Sequence, residues 1–325
     1  MNTIKKYAVE FWHLVVGAGK EFSNDNAMKL SASLSYYTIF SLAPMLLVII
    51  AVCGIFFGRD AVQGEIYSRI DNWVGADAAL QIQSMLKSAQ HSQQSWIAAS
   101  LGIITLIIGA TGVFIEIQDS INYIWSIKAK PKRGWVKFIV NRAISFSLIL
   151  SVGFLMLVSL TINTVLDLMF DQVERHFPSI AIYGIYIFNL VVVLGVITLL
   201  FSIIFKILPD GEPRWKDAIA GAAFTAILFM LGKFIIGYYL ATSNIATTYG
   251  SSSAIVIILL WIYYSSVILY FGAEFTKVYA IRYGRPIKPY RYAVMIEKRE
   301  IIIPPQKANS EIEKSPLINQ GTVTN

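Results

Sequence analysis

Three charged side chains interrupt the long apolar runs of this 325-residue chain: Glu116, Lys233 and Glu274. An ionisable group in such a run is costly unless it pairs, meets water or serves a ligand, so these are the first candidates for chemistry. Glu116 and Glu274 can titrate in a proton- or cation-coupled path; as plain interface residues they would meet water or arginine instead. Asp119 and Asn122 follow Glu116 at three-residue steps, and Lys277 follows Glu274 in the same way, so each carboxylate begins a polar face. The Lys233 ammonium either attracts an anionic headgroup or substrate, or snorkels outward; Asp167, Asp171 and Glu174 are its candidate partners. Pro44 lacks an N–H and clashes with the carbonyl of Phe40, which predicts a kink and exposed backbone that Ser41 can partly satisfy. That break is either a hinge or pocket, or a static kink that improves packing. Asn163 and Asn189 are further polar groups in apolar surroundings, suited to interhelical hydrogen bonds or to a polar path.

Other chemistries lack their residues. The histidines are His13, His91 and His176, far apart in the chain, and Cys53 is the lone cysteine. Asp210, Glu212 and Asp217 form a loose acidic group with no histidine beside them. Nucleophile-elbow, Walker and zincin patterns are absent. The sequence therefore predicts no enzyme, no cofactor and no metal site.

The elements that must hold the candidate residues follow from hydropathy. Hydrophobic residues make up 56% of the chain and charged ones 14%, about half the charge of a soluble globular protein. Six apolar stretches, about 32–57, 97–117, 143–166, 180–205, 218–240 and 254–276, each reach the ~20 residues that span a bilayer as helix. Backbone in lipid must bond to itself, so the fold class is all-α: a polytopic bundle of six transmembrane helices. Residues 1–30 mix Tyr7, Phe11, Trp12, Leu14 and Val15 with Lys5, Lys6, Glu10 and Lys20, as in a helix lying in the membrane interface. In the 58–96 loop, Val62, Ile66, Ile70 and Val74, then Ile82, Met85 and Leu86, predict short amphipathic helices over the bundle. The organisation is an N-terminal segment 1–30, a membrane domain 31–285 and a tail 286–325, disordered from about 304.

Charge sets the orientation. Of the 27 lysines and arginines, 22 fall on the side that holds both termini and four on the other. The positive-inside rule places both termini in the cytoplasm. The formal net charge of +7 divides into +11 on that face, −3 on the other and −1 within the spans. A basic rim of this kind meets anionic lipid headgroups and needs no nucleic acid to explain it. The cluster from Lys128 to Arg142, with Trp135 and Phe138, is read as juxtamembrane anchoring in preference to an RNA site. Ala218, Ala222 and Ala226, and Gly102, Gly109 and Gly112, mark close helix contacts. Tyr36, Tyr37, Tyr263 and Tyr264 either pack or line a polar cavity.

The first span reads Leu34-Ser35-Tyr36-Tyr37-Thr38-Ile39-Phe40-Ser41-Leu42-Ala43-Pro44, and the last contains Trp261-Ile262-Tyr263-Tyr264 and Phe271-Gly272-Ala273-Glu274-Phe275. With Asn122-Tyr123-Ile124-Trp125 and Tyr249-Gly250 between them, the chain resembles the YihY/virulence factor BrkB family of bacterial inner-membrane proteins over residues 20 to 285. Some members carry the label ribonuclease BN, a tRNA-processing activity, and others are linked by name to serum resistance and so to the cell envelope. The nuclease label finds no support in these residues, because His13 is placed in the cytoplasm, and His91 and His176 across ~30 Å of hydrocarbon from it. The leading expectation is movement of a lipid-like or small polar solute, with Pro44 as the break, Lys233 as an anion contact, and Glu116 or Glu274 for proton coupling. The alternative is a non-transporting scaffold for envelope machinery, with protein partners or a second copy of itself.

Overall fold

The computed structural model describes residues 3–57, 59–74, 96–130, 178–243 and 253–298, with a few isolated positions between them. Helix α1 (Thr3–Asn24) leads into α2 (Ala27–Phe57), and α3 (Arg59–Val74) follows after one residue. Helix α4 (Trp96–Ile124) precedes strand β1 (Ile127–Ala129). Then come α5 (Pro178–Ile207), β2 (Gly211–Glu212), α6 (Trp215–Thr242), α7 (Ser253–Tyr283), β3 (Lys288–Pro289) and β4 (Ala293–Met295).

Four segments have the length and apolarity to cross a membrane: Ala27–Ile50, Leu190–Ile207, Trp215–Tyr239 and Ile255–Tyr283. They match the first, fourth, fifth and sixth expected spans. The second falls within α4, and the third, at 143–166, lies outside the described residues, as does the tail from 299. The protein is thus a mainly helical membrane protein.

The break between α1 and α2 has a local cause. Asn26 takes a left-handed conformation (φ 52°), which asparagine tolerates better than most residues. The Asp25 N–H still donates to the Glu21 carbonyl at 2.8 Å, and the Lys29 N–H restarts the ladder on the Asn26 carbonyl at 2.9 Å. This elbow turns Glu21 and Asp25 toward α7. One side of α1 is held there by Leu14 and Ala18 packing on Phe275. Val9, Trp12 and Val16 stay exposed, as suits a helix against a membrane interface.

Small residues set the closest crossing. On α6, Ala218, Ala222 and Ala226 are fully buried. A methyl group at Gly221 would collide with Thr276 of α7, and one at Gly272 of α7 would collide with Thr225 of α6. Each threonine hydroxyl donates to the carbonyl of the glycine four residues earlier, at 2.7 Å. The two helices therefore meet through a reciprocal glycine–threonine contact that satisfies both hydroxyls within their own helices.

Helix α2 packs along α4 in a similar way. A Cβ at Gly109 would lie 3.0 Å from Pro44, and one at Gly112 would lie 3.1 Å from the Ser41 hydroxyl. Helix α3 covers the bundle with Val62 and Ile66 buried, as the spacing in that loop predicts.

Two short antiparallel pairs had no sequence expectation. Strand β1 pairs with β4 through Ile127–Met295, Lys128–Val294 and Ala129–Ala293; β2 pairs with β3 through Gly211–Pro289 and Glu212–Lys288. Runs of two or three residues are too short to show a two-residue period. They tie the segment after α7 to the chain ends of α4 and α5.

Candidate functional site

Two buried polar clusters lie on the described part of the molecule. The first forms where the α1–α2 elbow meets α7. Glu274 lies nineteen residues after Ile255 and nine before Tyr283, the two ends of that apolar span, and so about 29 Å along the helix. Its side chain has no solvent exposure, and neither carboxylate oxygen accepts a hydrogen bond. Lys277, one turn later, brings its Nζ to 3.5 Å from Glu274 Oε2. The same ammonium donates to Glu21 Oε2 at 2.8 Å and reaches Asp25 Oδ2 at 3.4 Å.

Asp25 is 8% exposed, Lys277 16% and Glu21 38%, so the cluster opens to water on the Glu21 side. Each of the three acids places an oxygen within 4.8 Å of the others. Three carboxylates against one ammonium leave a formal charge of −2. Two like charges 4 Å apart repel by about 4 kcal/mol at an effective dielectric constant near 20, so this excess calls for compensation.

The second cluster lies at the ends of α4 and α5. Asp210 is almost fully buried. Its Oδ2 accepts from Asn122 Nδ2 at 2.8 Å and its Oδ1 from Gln118 Nε2 at 3.2 Å. The Asp210 N–H donates back to Asn122 Oδ1 at 2.7 Å, and its carbonyl accepts from the Tyr290 N–H at 3.0 Å. Burial, then the nearby Asp210 charge, pushes the Tyr292 phenol up to about 12. Nearby, Trp125 Nε1 donates to the Ala273 carbonyl at 3.1 Å, and Lys206 Nζ donates to the Pro213 carbonyl at 2.6 Å while lying over the Trp215 ring. Arg214 grips Asp217 with two bonds of 2.9 Å. The acids grouped as Asp210, Glu212 and Asp217 thus divide: Asp210 bonds to α4, Asp217 to Arg214, and Glu212 is exposed in β2.

The sequence candidates are scattered. Glu274 and Lys277 do share a face and form an ion pair. Glu116 is half-buried on α4 and is not one of the three clustered acids. Of the polar face expected from Glu116, Asp119 and Asn122, Asp119 is exposed and Asn122 is buried, where it joins Gln118, four residues earlier, on Asp210. A helix advances 100° per residue, so four-residue steps keep a face better than repeated steps of three. Ser41 and Pro44 meet glycines of α4. Lys233 projects from an exposed face of α6; its candidate partners Asp167, Asp171 and Glu174, and also Asn163, His91 and His176, lie outside the described residues. Asn189 lies in α5, with its side chain outside what is described. Tyr36 and Tyr37 are exposed and edge-to-face, while Tyr263 donates to Met28 Sδ at 3.7 Å and Tyr264 packs on Gly232. Sequence reasoning missed Glu21, Asp25 and Gln118. The first two show as acids one turn apart beside the asparagines that end α1.

The family model for virulence factor BrkB matches residues 18–293. A UPF0761 membrane protein of Saccharophagus degradans is 26% identical over 284 residues, which cover 87% of this chain and 63% of the relative. One from Pseudomonas aeruginosa is 27% identical over 259 residues, 78% of this chain and 59% of the relative. One from Haemophilus influenzae is 25% identical over 276 residues, 84% of this chain and 95% of the relative. The chain therefore spans about three fifths of the length of the first two and nearly all of the third. No solved structure matches.

Proposed function

The chain belongs to the virulence factor BrkB family, and on that premise we propose that it moves a lipid-like or small polar solute across the bacterial inner membrane. The observation that carries this reading is Glu274: a carboxylate with no exposure and no hydrogen bond, within a membrane helix, in a cluster with excess negative charge. A membrane helix keeps such a group at a cost in stability, and a substrate or ion pathway is the usual return. Lys277 joins α7 to the α1–α2 elbow, so a change of charge here would alter how the N-terminal helix sits on the bundle. In this reading six spans leave both termini in the cytoplasm, the basic rim meets anionic headgroups, and no nucleic acid is bound. The protein is not an enzyme, and the nuclease label of some relatives is not carried over.

The test is transport by purified full-length protein in liposomes, followed with fluorescent phospholipid and with labelled small solutes. Lipid or solute should cross, and Glu274→Ala and Lys277→Ala should each abolish the flux while the fold is retained. A folded protein that moves none of these probes sinks the proposal. A scaffold role is the second reading, favoured by the seating of Pro44 on Gly109, which fits a static kink better than a hinge. It predicts stable protein partners and normal growth with Pro44→Ala.

A further inference from the structure

We infer that Glu21, Asp25 and Glu274 form a binding site for one hard divalent cation of Ca²⁺ size, with Lys277 as the tethered charge that the ion displaces. The inference rests on the reading above in taking Glu274 as the functional centre, and adds the ligand of that centre. Three observations carry it. The acids come from two elements, the α1–α2 elbow and α7, yet their oxygens lie within 4.8 Å of one another. Ca²⁺ binds carboxylate oxygens at ~2.4 Å in a flexible shell, so oxygens no farther apart than ~4.8 Å can share one ion, whereas Mg²⁺ demands a near-ideal octahedron and dehydrates reluctantly.

Glu274 supplies the second observation, since both of its oxygens are fully buried and accept no hydrogen bond, with the Lys277 ammonium 3.5 Å away and the Asp25 carboxylate beside them. A buried carboxylate normally finds two or more donors. Here a cation fills that role.

The third is charge. With Lys277 included the cluster is at −2, which one divalent ion neutralises. The lysine stem is long and flexible, and its Nζ already leans on the more exposed Glu21, so it can swing toward water as the ion enters. Glu21, at 38% exposure, is both ligand and entry path, and leaves room for waters to complete the six to eight oxygens that Ca²⁺ takes. No metal site is legible in the chain by spacing, because Asp25 and Glu274 are 249 positions apart.

The experiment is calorimetric titration of CaCl₂, and separately MgCl₂, into full-length protein in detergent after removal of metals with EDTA. One Ca²⁺ should bind per chain with Kd on the order of 10⁻⁵–10⁻³ M, and Mg²⁺ at least tenfold more weakly. Glu274→Gln should weaken Ca²⁺ binding tenfold or more while leaving the metal-free protein at least as heat-stable as the parent. Lys277→Met should tighten binding about tenfold, since it removes the competing ammonium. A purely structural ion cluster predicts the opposite for that variant: a less stable protein and no gain in affinity. Absence of saturable Ca²⁺ binding to both the parent and Lys277→Met overturns the inference, as does Mg²⁺ binding of equal strength. Because no flux is measured, failure here leaves transport standing, and a transport failure leaves Ca²⁺ binding standing.

Discussion

The two buried acid clusters differ in one respect that decides their roles. Around Asp210 every carboxylate oxygen has a donor, and the partner Asn122 is used through both its nitrogen and its oxygen. Around Glu274 three acids share one lysine, and the deepest carboxylate accepts no hydrogen bond. A satisfied network rigidifies its surroundings and gains little from a ligand, while an unsatisfied one is stabilised by whatever supplies the missing charge. Asp210 fastens α4 to the loop after α5. Glu274 is the group proposed as a site.

This contrast can be broken by mutation. The largest effect is expected at Asp210→Ala, which leaves the amides of Gln118 and Asn122 without their acceptor at buried positions. The cost should be about 4 kcal/mol, read as a lower midpoint in thermal unfolding of detergent-solubilised protein. Unchanged stability would show that the network is not what holds this end together. Next is Gly272→Ala at the α6–α7 crossing, which places a methyl group 2.9 Å from Thr225 Cβ and should cost about 2 kcal/mol. Adding Thr225→Ala should recover part of that loss.

The sign should reverse at the other cluster. Without metal, Glu274→Gln removes one of three like charges and should leave stability unchanged or raise it by up to about 1 kcal/mol. A loss as large as that of Asp210→Ala would make the two clusters alike and remove the case for a site. The smallest effect concerns Tyr292. Its phenol is pushed up to about 12 from an ordinary value near 10 by burial and by Asp210, so the folded state disfavours the phenolate. Its contribution is present in full below pH 10 and fades as pH rises from there to about 12. Comparing the alkaline unfolding of Tyr292→Phe with that of the parent should show a gentler decline in the variant over that window.

Much of the fold was legible because the bilayer imposes a simple rule on length and apolarity. The runs from Ala32 to Phe57, Ala218 to Leu240 and Ala254 to Thr276 had only one physical solution, and the helices follow them. The alanines at 218, 222 and 226 announced a close contact by their spacing, and they are fully buried. The strands escaped notice because their pairing depends on residues 288–295 returning to meet 127–129 and 211–212, which no local period encodes.

The site was half legible. Glu274 and Lys277 were marked by being charged in or beside an apolar run, and their three-residue spacing on one helix required them to meet. By itself, then, the sequence determined that membrane helices form, that an apolar run in the last of them carries a carboxylate, and that a lysine lies one turn beyond it. It could not say that α1 would turn at Asn26 and bring Glu21 and Asp25 to that lysine, because that depends on Leu14 and Ala18 docking on Phe275. Nor could it say that Asp210 would be satisfied while Glu274 would not. Hydropathy measures how costly each charge is to bury, and only the tertiary structure decides which groups arrive to offset that cost.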